Sequence, residues 1–250
     1  MSTDPSGVSR VPVPWNRTIP RSRLFDALSL LLPAGEAFVI ETLEQWRAQV
    51  GDSLATPMQA EVDRLIREER AHQRAHRRYN QALIAETPVA TAAALRASRA
   101  ADELADLSLP MKMALTVAFE HLTTVLSREI LGRPYLLPDD GSRHSRMWRW
   151  HAQEELAHSH VAMEAAALCG IGHGRRALAL CLATACLSFD VLCCWSALCR
   201  CDTAAGASRL SLLVDACSFV LRGLPSLARM GLGWCRGFVP TAGAARRGAK

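Results

Sequence analysis

Trp148-Arg-Trp-His-Ala-Gln-Glu-Glu-Leu-Ala-His158 is the stretch from which the fold can be read. On a helix, His151, Glu155 and His158 stand at i, i+4 and i+7 and project from one narrow stripe. Two imidazoles and a carboxylate on one stripe make half of a site for a first-row transition metal. Upstream, in Leu65-Ile-Arg-Glu-Glu-Arg-Ala-His-Gln-Arg-Ala-His76, Glu69 and His72 repeat the Glu-x-x-His spacing, and His76 lies one turn further along the same face. A single Glu-x-x-His is usually a solvated helix face. Two of them, each at hairpin distance from one more glutamate, point to a metal centre.

Glu36 precedes Glu69 by 33 residues, and Glu120 precedes Glu155 by 35. Each interval suits a hairpin of two antiparallel helices with ligands at matching height. Glu69 to Glu120 spans 51, long enough to return along the length of a bundle. Short, long, short is the order of a ferritin-like bundle, which takes one glutamate from each of two helices and a Glu-x-x-His from each of the other two. The expected fold is therefore all-α, a ferritin-like four-helix bundle with one long crossover, plus additional C-terminal helices. Residues 1–23 read as an extended Pro/Ser/Arg-rich arm and 24–172 as the bundle. Residues 173–235 read as apolar helices packed on it, and 236–250 as a flexible basic tail. Within the bundle, Pro33-Ala-Gly-Glu36 is expected to open a helix running to about Val50. Further helices are expected at about 56–85, 88–106, 111–131 and 143–169, then at about 175–200, 206–223 and 225–233.

Composition agrees with helices: half of the 250 residues are apolar, only 6% are aromatic, and Ala, Leu, Arg and Glu abound. The net charge of +5 is uneven. Residues 171–250 hold ten Lys/Arg against three Asp, a balance of +7, which leaves −2 on residues 1–170, where the candidate ligands are. All nine cysteines lie at or after Cys169, with spacings that match neither a zinc ribbon nor a secreted disulfide framework. They read as small fillers of buried helices. The N-terminal residues lack an apolar stretch of signal-peptide length, so a reducing cytoplasm is the expected location, with membrane association as an alternative.

The candidate metal ligands are Glu36, Glu69, His72, Glu120, His151, Glu155 and His158. Unpaired glutamates inside a bundle would cost several kcal/mol each, and cations make their burial reasonable. Glu41 and Glu44 compete with Glu36, which alone follows the Pro-x-Gly-Glu sequence. His76 and Glu154 are read as groups behind the ligands or on the surface, and Glu68 likewise. His121, His144, His160 and His173 read as ordinary helix or loop residues, and Trp148 and Trp150 as core packing. The arginines of the second helix read as a solvated face, with no nucleic acid as partner.

At these residues the chain resembles a bacterial, ferritin-like group labelled predicted metal-dependent hydrolases. The resemblance rests on Leu24-Phe-Asp-Ala-Leu-Ser-Leu-Leu-Leu-Pro-Ala-Gly-Glu36, Glu69-x-x-His72-x-x-x-His76-x-x-Tyr79-Asn80, Ala114-Leu-Thr-x-x-x-Glu120-His121 and Trp148-x-Trp-His-x-x-Glu-Glu-x-x-His158. It implies that Glu36, Glu69, His72, Glu120, Glu155 and His158 bind metal. His151 is similar to the extra histidine ligand of p-aminobenzoate N-oxygenase-type di-iron enzymes. The chain departs from the pattern at Glu68, where the family usually has glutamine, at Ala162-Met-Glu164, and at Gly237-Phe-Val-Pro240.

Two functions follow from this ligand set. The one favoured by the ligands is an O2-dependent oxidoreductase or oxygenase. It would act on a small organic molecule and draw on an electron donor; the expected cofactor is two iron ions, with manganese or zinc as the alternatives, zinc going with hydrolysis. The alternative is a metal-dependent hydrolase, and a non-enzymatic metal-binding helical protein is third. A homodimer is also considered. From Ala177 to Cys199 the only charge is Asp190, so the segment is long enough to span a bilayer. A central aspartate opposes insertion by ~2.5–3.5 kcal/mol. The segment is read instead as a buried helix against the bundle. A membrane-facing helix serving a lipid-like substrate is the other reading, with peripheral contact helped by the basic C-terminal third.

Overall fold

A computed structural model describes residues 13–51 and 56–239. All regular structure among them is helical: α1 Ile19–Val50, α2 Thr56–Glu86, α3 Pro88–Ala105, α4 Leu109–Gly132, α5 Arg143–Leu168, α6 His173–Ala204 and α7 Arg209–Cys235, followed by a short 3-10 turn at Arg236–Phe238. Local chemistry sets most of the ends. Thr87, Ser142 and Ser208 cap α3, α5 and α7, each accepting from the backbone N–H three residues on. Prolines occupy the first turns of α1, α3 and α4. Gly170 and Gly206, at φ of 67° and 104°, follow α5 and α6.

α1, α2, α4 and α5 form a four-membered bundle in which each helix packs on two others. Cross-helix contacts give the directions. Ser29 meets His76 and Asn80, Arg21 reaches the carbonyl of Leu136, Thr124 reaches that of Glu155, and His72 and His158 meet Glu154 and Glu68. Every neighbouring pair is therefore antiparallel, which makes α2 and α4 run the same way. The chain must return along the bundle between them, and α3 does so over about 27 Å of its 18 residues.

Four expectations are corrected. The helix expected to open at Pro33 is the second half of a 32-residue α1 that begins at Ile19, so the arm expected over 1–23 is helical from there on; residues 1–12 lie outside the described residues. Pro33 removes the N–H that would bond the Ser29 carbonyl, and Asn80 Nδ2 from α2 donates to that oxygen instead at 2.7 Å. Pro225 likewise lies inside one continuous α7 rather than between two helices. The flexible tail expected from 236 is instead a 3-10 turn over Arg236–Phe238, where Gly237 packs on Leu180 and His121 so closely that a Cβ would clash at 2.5 Å; residues 240–250 lie outside the described residues. Finally, α6 is not a buried helix: it packs one face on α1, α3 and α4 and leaves Leu178, Leu182, Phe189 and Leu192 exposed. Cys181, Cys186, Cys217 and Cys235 are exposed too, so only part of the cysteine set fills buried positions.

The apolar interior falls into layers. Phe38, Leu43, Val62, Leu65, Met113 and Val117, with Ala162 and Ala165, fill one end of the bundle. Phe25, Ile130, Leu137, Trp148 and Ala152 fill the other. Glu36 on α1, Glu120 on α4 and Glu155 on α5 all fall between these two layers. The polar centre is thus sealed above and below by core.

Candidate metal centre

The seven candidate ligands converge. Glu36, Glu69, His72, Glu120, His151, Glu155 and His158 are each at most 4% exposed and come from all four bundle helices. Glu69 and Glu155 lie centrally: His72 Nδ1 is 3.6 Å from Glu69 and 3.5 Å from Glu155, and His158 Nδ1 is 2.8 Å from Glu69 and 3.6 Å from Glu155. Glu120 reaches within 3.7 Å of His158 Nδ1, and His151 Nε2 within 3.3 Å of Glu155. Two adjoining groups each have donor atoms within 4.8 Å of one another: Glu69, His72, Glu155 and His158, and Glu36, His76 and His151. Glu41 and Glu44 are exposed, so Glu36 is the one glutamate of α1 that lies inside, although the turn expected before it does not exist.

Several of these buried atoms have no hydrogen-bond partner. Both oxygens of Glu36, one each of Glu69 and Glu120, and Nδ1 of His72 and of His158 are in that state. A buried carboxylate oxygen or imidazole nitrogen left so is costly, and this group of orphans faces one spot. Four carboxylates and neutral imidazoles are a donor set that fits hard and borderline divalent cations. The residues present therefore fit the metal that the sequence predicts.

Electrostatics agree. Burial, then the neighbouring Glu69, Glu155 and Glu120, push the Glu36 carboxyl well above the usual range. Glu120 is pushed up by burial and by Glu69 and Glu155. Burial also works against Glu69, but contact with the imidazoles of His158 and His72 outweighs it and holds that group low. Against the cost of burial, Glu155 and Glu69 raise His158 to about 12, and Glu69 raises His72 in the same way. Without cations the cluster would thus take up protons in their place.

The two glutamates that precede the ligands turn out to have a definite task. His72 Nε2 donates to Glu154 on α5 at 2.9 Å, and His158 Nε2 donates to Glu68 on α2 at 3.0 Å. Each helix therefore supplies an inner glutamate to the centre and an outer one that braces the opposite helix's histidine. With Nε2 committed outward, Nδ1 of both rings faces the carboxylates, the arrangement that orients a metal-binding imidazole. Trp150 Nε1 and Arg64 secure the outer glutamates in turn. The doubled glutamates in Glu68-Glu69-Arg-Ala-His72 and Glu154-Glu155-Leu-Ala-His158 are the sequence signal for this brace.

His76 is fully buried, not on the surface. Its Nδ1 meets Ser29 Oγ at 2.8 Å and its Nε2 meets His151 Nδ1 at 3.3 Å, so it connects α1 to the candidate ligand His151. Burial holds its pKa down at about 3 and keeps the ring neutral. Thr123, which the sequence did not single out, donates to Glu155 Oε2 at 2.6 Å. A cavity of about 120 Å³ adjoins the centre, reaching Glu36, Glu69, Glu120 and Glu155 and walled by Leu28, Leu31, Leu32, Leu122, Leu126 and Leu187, among others. A larger groove of about 490 Å³ between α1, α2 and α3 reaches none of the seven candidate ligands. An exposed group at Glu61, His160 and Glu164 lies outside the core.

Compared with known proteins, the chain matches no curated protein and no solved structure. Residues 7–241, nearly its whole length, match the sequence model of one family. By that match, and with a buried multi-ligand centre to go with it, the chain belongs to the family described as predicted metal-dependent hydrolase.

Proposed function

We propose that the chain is a two-metal enzyme whose cations are held by Glu36, Glu69, His72, Glu120, His151, Glu155 and His158, and that it hydrolyses a small, largely apolar substrate. The observation that carries this reading is the set of unpartnered carboxylate and imidazole atoms converging between two apolar layers in a member of this family. Glu69 and Glu155, close to both Nδ1 atoms, would serve both cations. Glu36 and His151 would complete the His72 side, and Glu120 the His158 side. When bound, such cations polarise a carbonyl or phosphoryl oxygen and activate water, or, if redox-active, supply electrons to O2. The leucine-walled cavity holds the substrate against the Glu36 and Glu120 carboxylates and excludes bulk water. The neutral His76, fixed by Ser29, would hold His151 through its Nδ1 and so direct His151 Nε2 to the centre.

A second reading is favoured by the donor set itself. Four glutamates with two Glu-x-x-His motifs are the ligands of ferritin-like di-iron and di-manganese bundles, and an apolar cavity suits attack on a C–H or N–H bond. On this reading the protein is an oxygenase with two iron ions, or manganese in their place, and needs O2 and an electron donor. Metal-replete protein assayed on ester, amide and phosphoester panels, in parallel with O2 uptake after reduction, separates the two. Turnover of a hydrolysable substrate with zinc or manganese and no O2 uptake supports hydrolysis. O2 consumption tied to bound iron, with no hydrolysis, would overturn it in favour of the second reading.

A further inference from the structure

Two helices in the C-terminal third carry apolar stripes that none of the described residues covers. On α6 the stripe is Leu178, Leu182, Phe189 and Leu192; on α7 it includes Leu213, Val220, Leu221, Leu224 and Leu232. By length and composition both helices could cross a membrane, yet only 28% and 17% of their most apolar windows is buried. The inner face of α6 argues against spanning. Arg176 and Asp202 are buried there, and Asp202 is paired in bidentate fashion with Arg23 of α1. The bundle beneath is polar outside, so the helices can only lie at a surface with their stripes outward.

The charges name the surface. Between residues 173 and 239 the exposed charged side chains are Arg175, Arg200, Arg209, Arg222 and Arg236, with no exposed carboxylate among them. The three aspartates are accounted for elsewhere: Asp202 is buried, Asp190 pairs with Arg96 of α3 at 3.4 Å, and Asp215 is half-buried. Arg175 and Arg200 bracket the α6 stripe, and Arg209 and Arg236 bracket that of α7. An apolar stripe rimmed by uncompensated arginines is the pattern of a helix lying in the headgroup region of an anionic bilayer. A second copy of the chain on the same face would set these arginines against one another.

We propose that α6 and α7 dock the protein, without spanning, on the surface of a membrane rich in anionic lipid. Leu187, on the face of α6 turned away from that stripe, is also a wall of the cavity beside the carboxylates, so docking sets the cavity one helix away from the lipid. On the function proposed above, the apolar substrate would then enter from the lipid, a corollary the docking itself does not require.

The test is flotation of the full-length protein with phosphatidylcholine vesicles with or without phosphatidylglycerol. Binding is expected to the mixed vesicles and to fall steeply with salt. R209S/R222S should weaken it roughly thirtyfold, at about fivefold per arginine, and L213D/L221D should abolish it while leaving helical content and metal content unchanged. If those variants do not fold, the salt dependence of the unmodified protein decides. Equal binding to neutral vesicles, no binding to either, or a stable dimer in solution that L213D/L221D dissociates would each overturn the proposal. Vesicle binding with no catalytic activity would leave docking standing and count only against the function reading.

Discussion

Replacing Glu154 by alanine tests the crossed braces most sharply. The mutation removes the acceptor for His72 Nε2, now 2.9 Å away, while leaving every candidate ligand in place. An outer carboxylate on a metal-binding histidine is worth ~10–100-fold in affinity, or about 1.4–2.7 kcal/mol. The Glu154 and Glu68 side chains are 32% and 23% exposed, so water can take over the lost acceptor and the lower end is expected, about tenfold. Glu154→Gln keeps an acceptor but loses the charge, about 1 kcal/mol, and should fall between the native protein and Glu154→Ala. The assay is titration of metal-free protein with zinc or manganese against a chromophoric chelator. Glu154→Ala should weaken one binding step and Glu68→Ala the other, because the two braces serve different histidines. Native affinity at both steps in a well-folded Glu154→Ala protein would refute the brace.

Four further outcomes follow from the structure. Glu36, Glu120, His72 and His158 all have folded pKa values raised above their usual ones, so metal-free protein at neutral pH holds protons that cations must displace. Metal uptake should therefore release more than one proton into unbuffered solution, with affinity rising as pH rises. For the metal-free fold the sign is the same at each. Raised Glu36 and Glu120 erode stability as pH climbs above the ordinary carboxylate range, and His158, which stabilises below its unfolded pKa, loses that contribution as pH rises through about 12. Asn80→Ala leaves the Ser29 carbonyl without a donor and should cost ~1–3 kcal/mol, about 2–10 °C in Tm. In a Pro33→Ala background, where residue 33 regains its N–H, the same change should cost measurably less. Leu126→Trp fills the cavity and should lower turnover of the larger substrates while metal content stays unchanged.

The convergence of the candidate ligands is legible because a helical metal site would impose its own period: Glu69/His72 and Glu155/His158 are three residues apart, and their single-glutamate partners lie at hairpin distance. What Glu68 and Glu154 do was not legible. Each meets a histidine on another helix, and no local pattern states which outward carboxylate will face which ring. Pro33 was read as a helix start because the compensating donor, Asn80, is 47 residues away in the chain. The exposure of α6 escaped for a different reason: an apolar composition reads the same whether the stripe faces core or solvent. His76 needed the third dimension too, since only the packing of α1, α2 and α5 together brings it to His151.

Elemental analysis of protein purified without added metal, paired with anomalous scattering from its crystals, addresses the central claim directly. The account predicts two cations per chain, both within bonding distance of Glu69 and Glu155 and each bound through Nδ1 of one histidine, His72 or His158. Absence of metal after reconstitution, or an ion found at the exposed Glu61, His160 and Glu164 group instead, would contradict it.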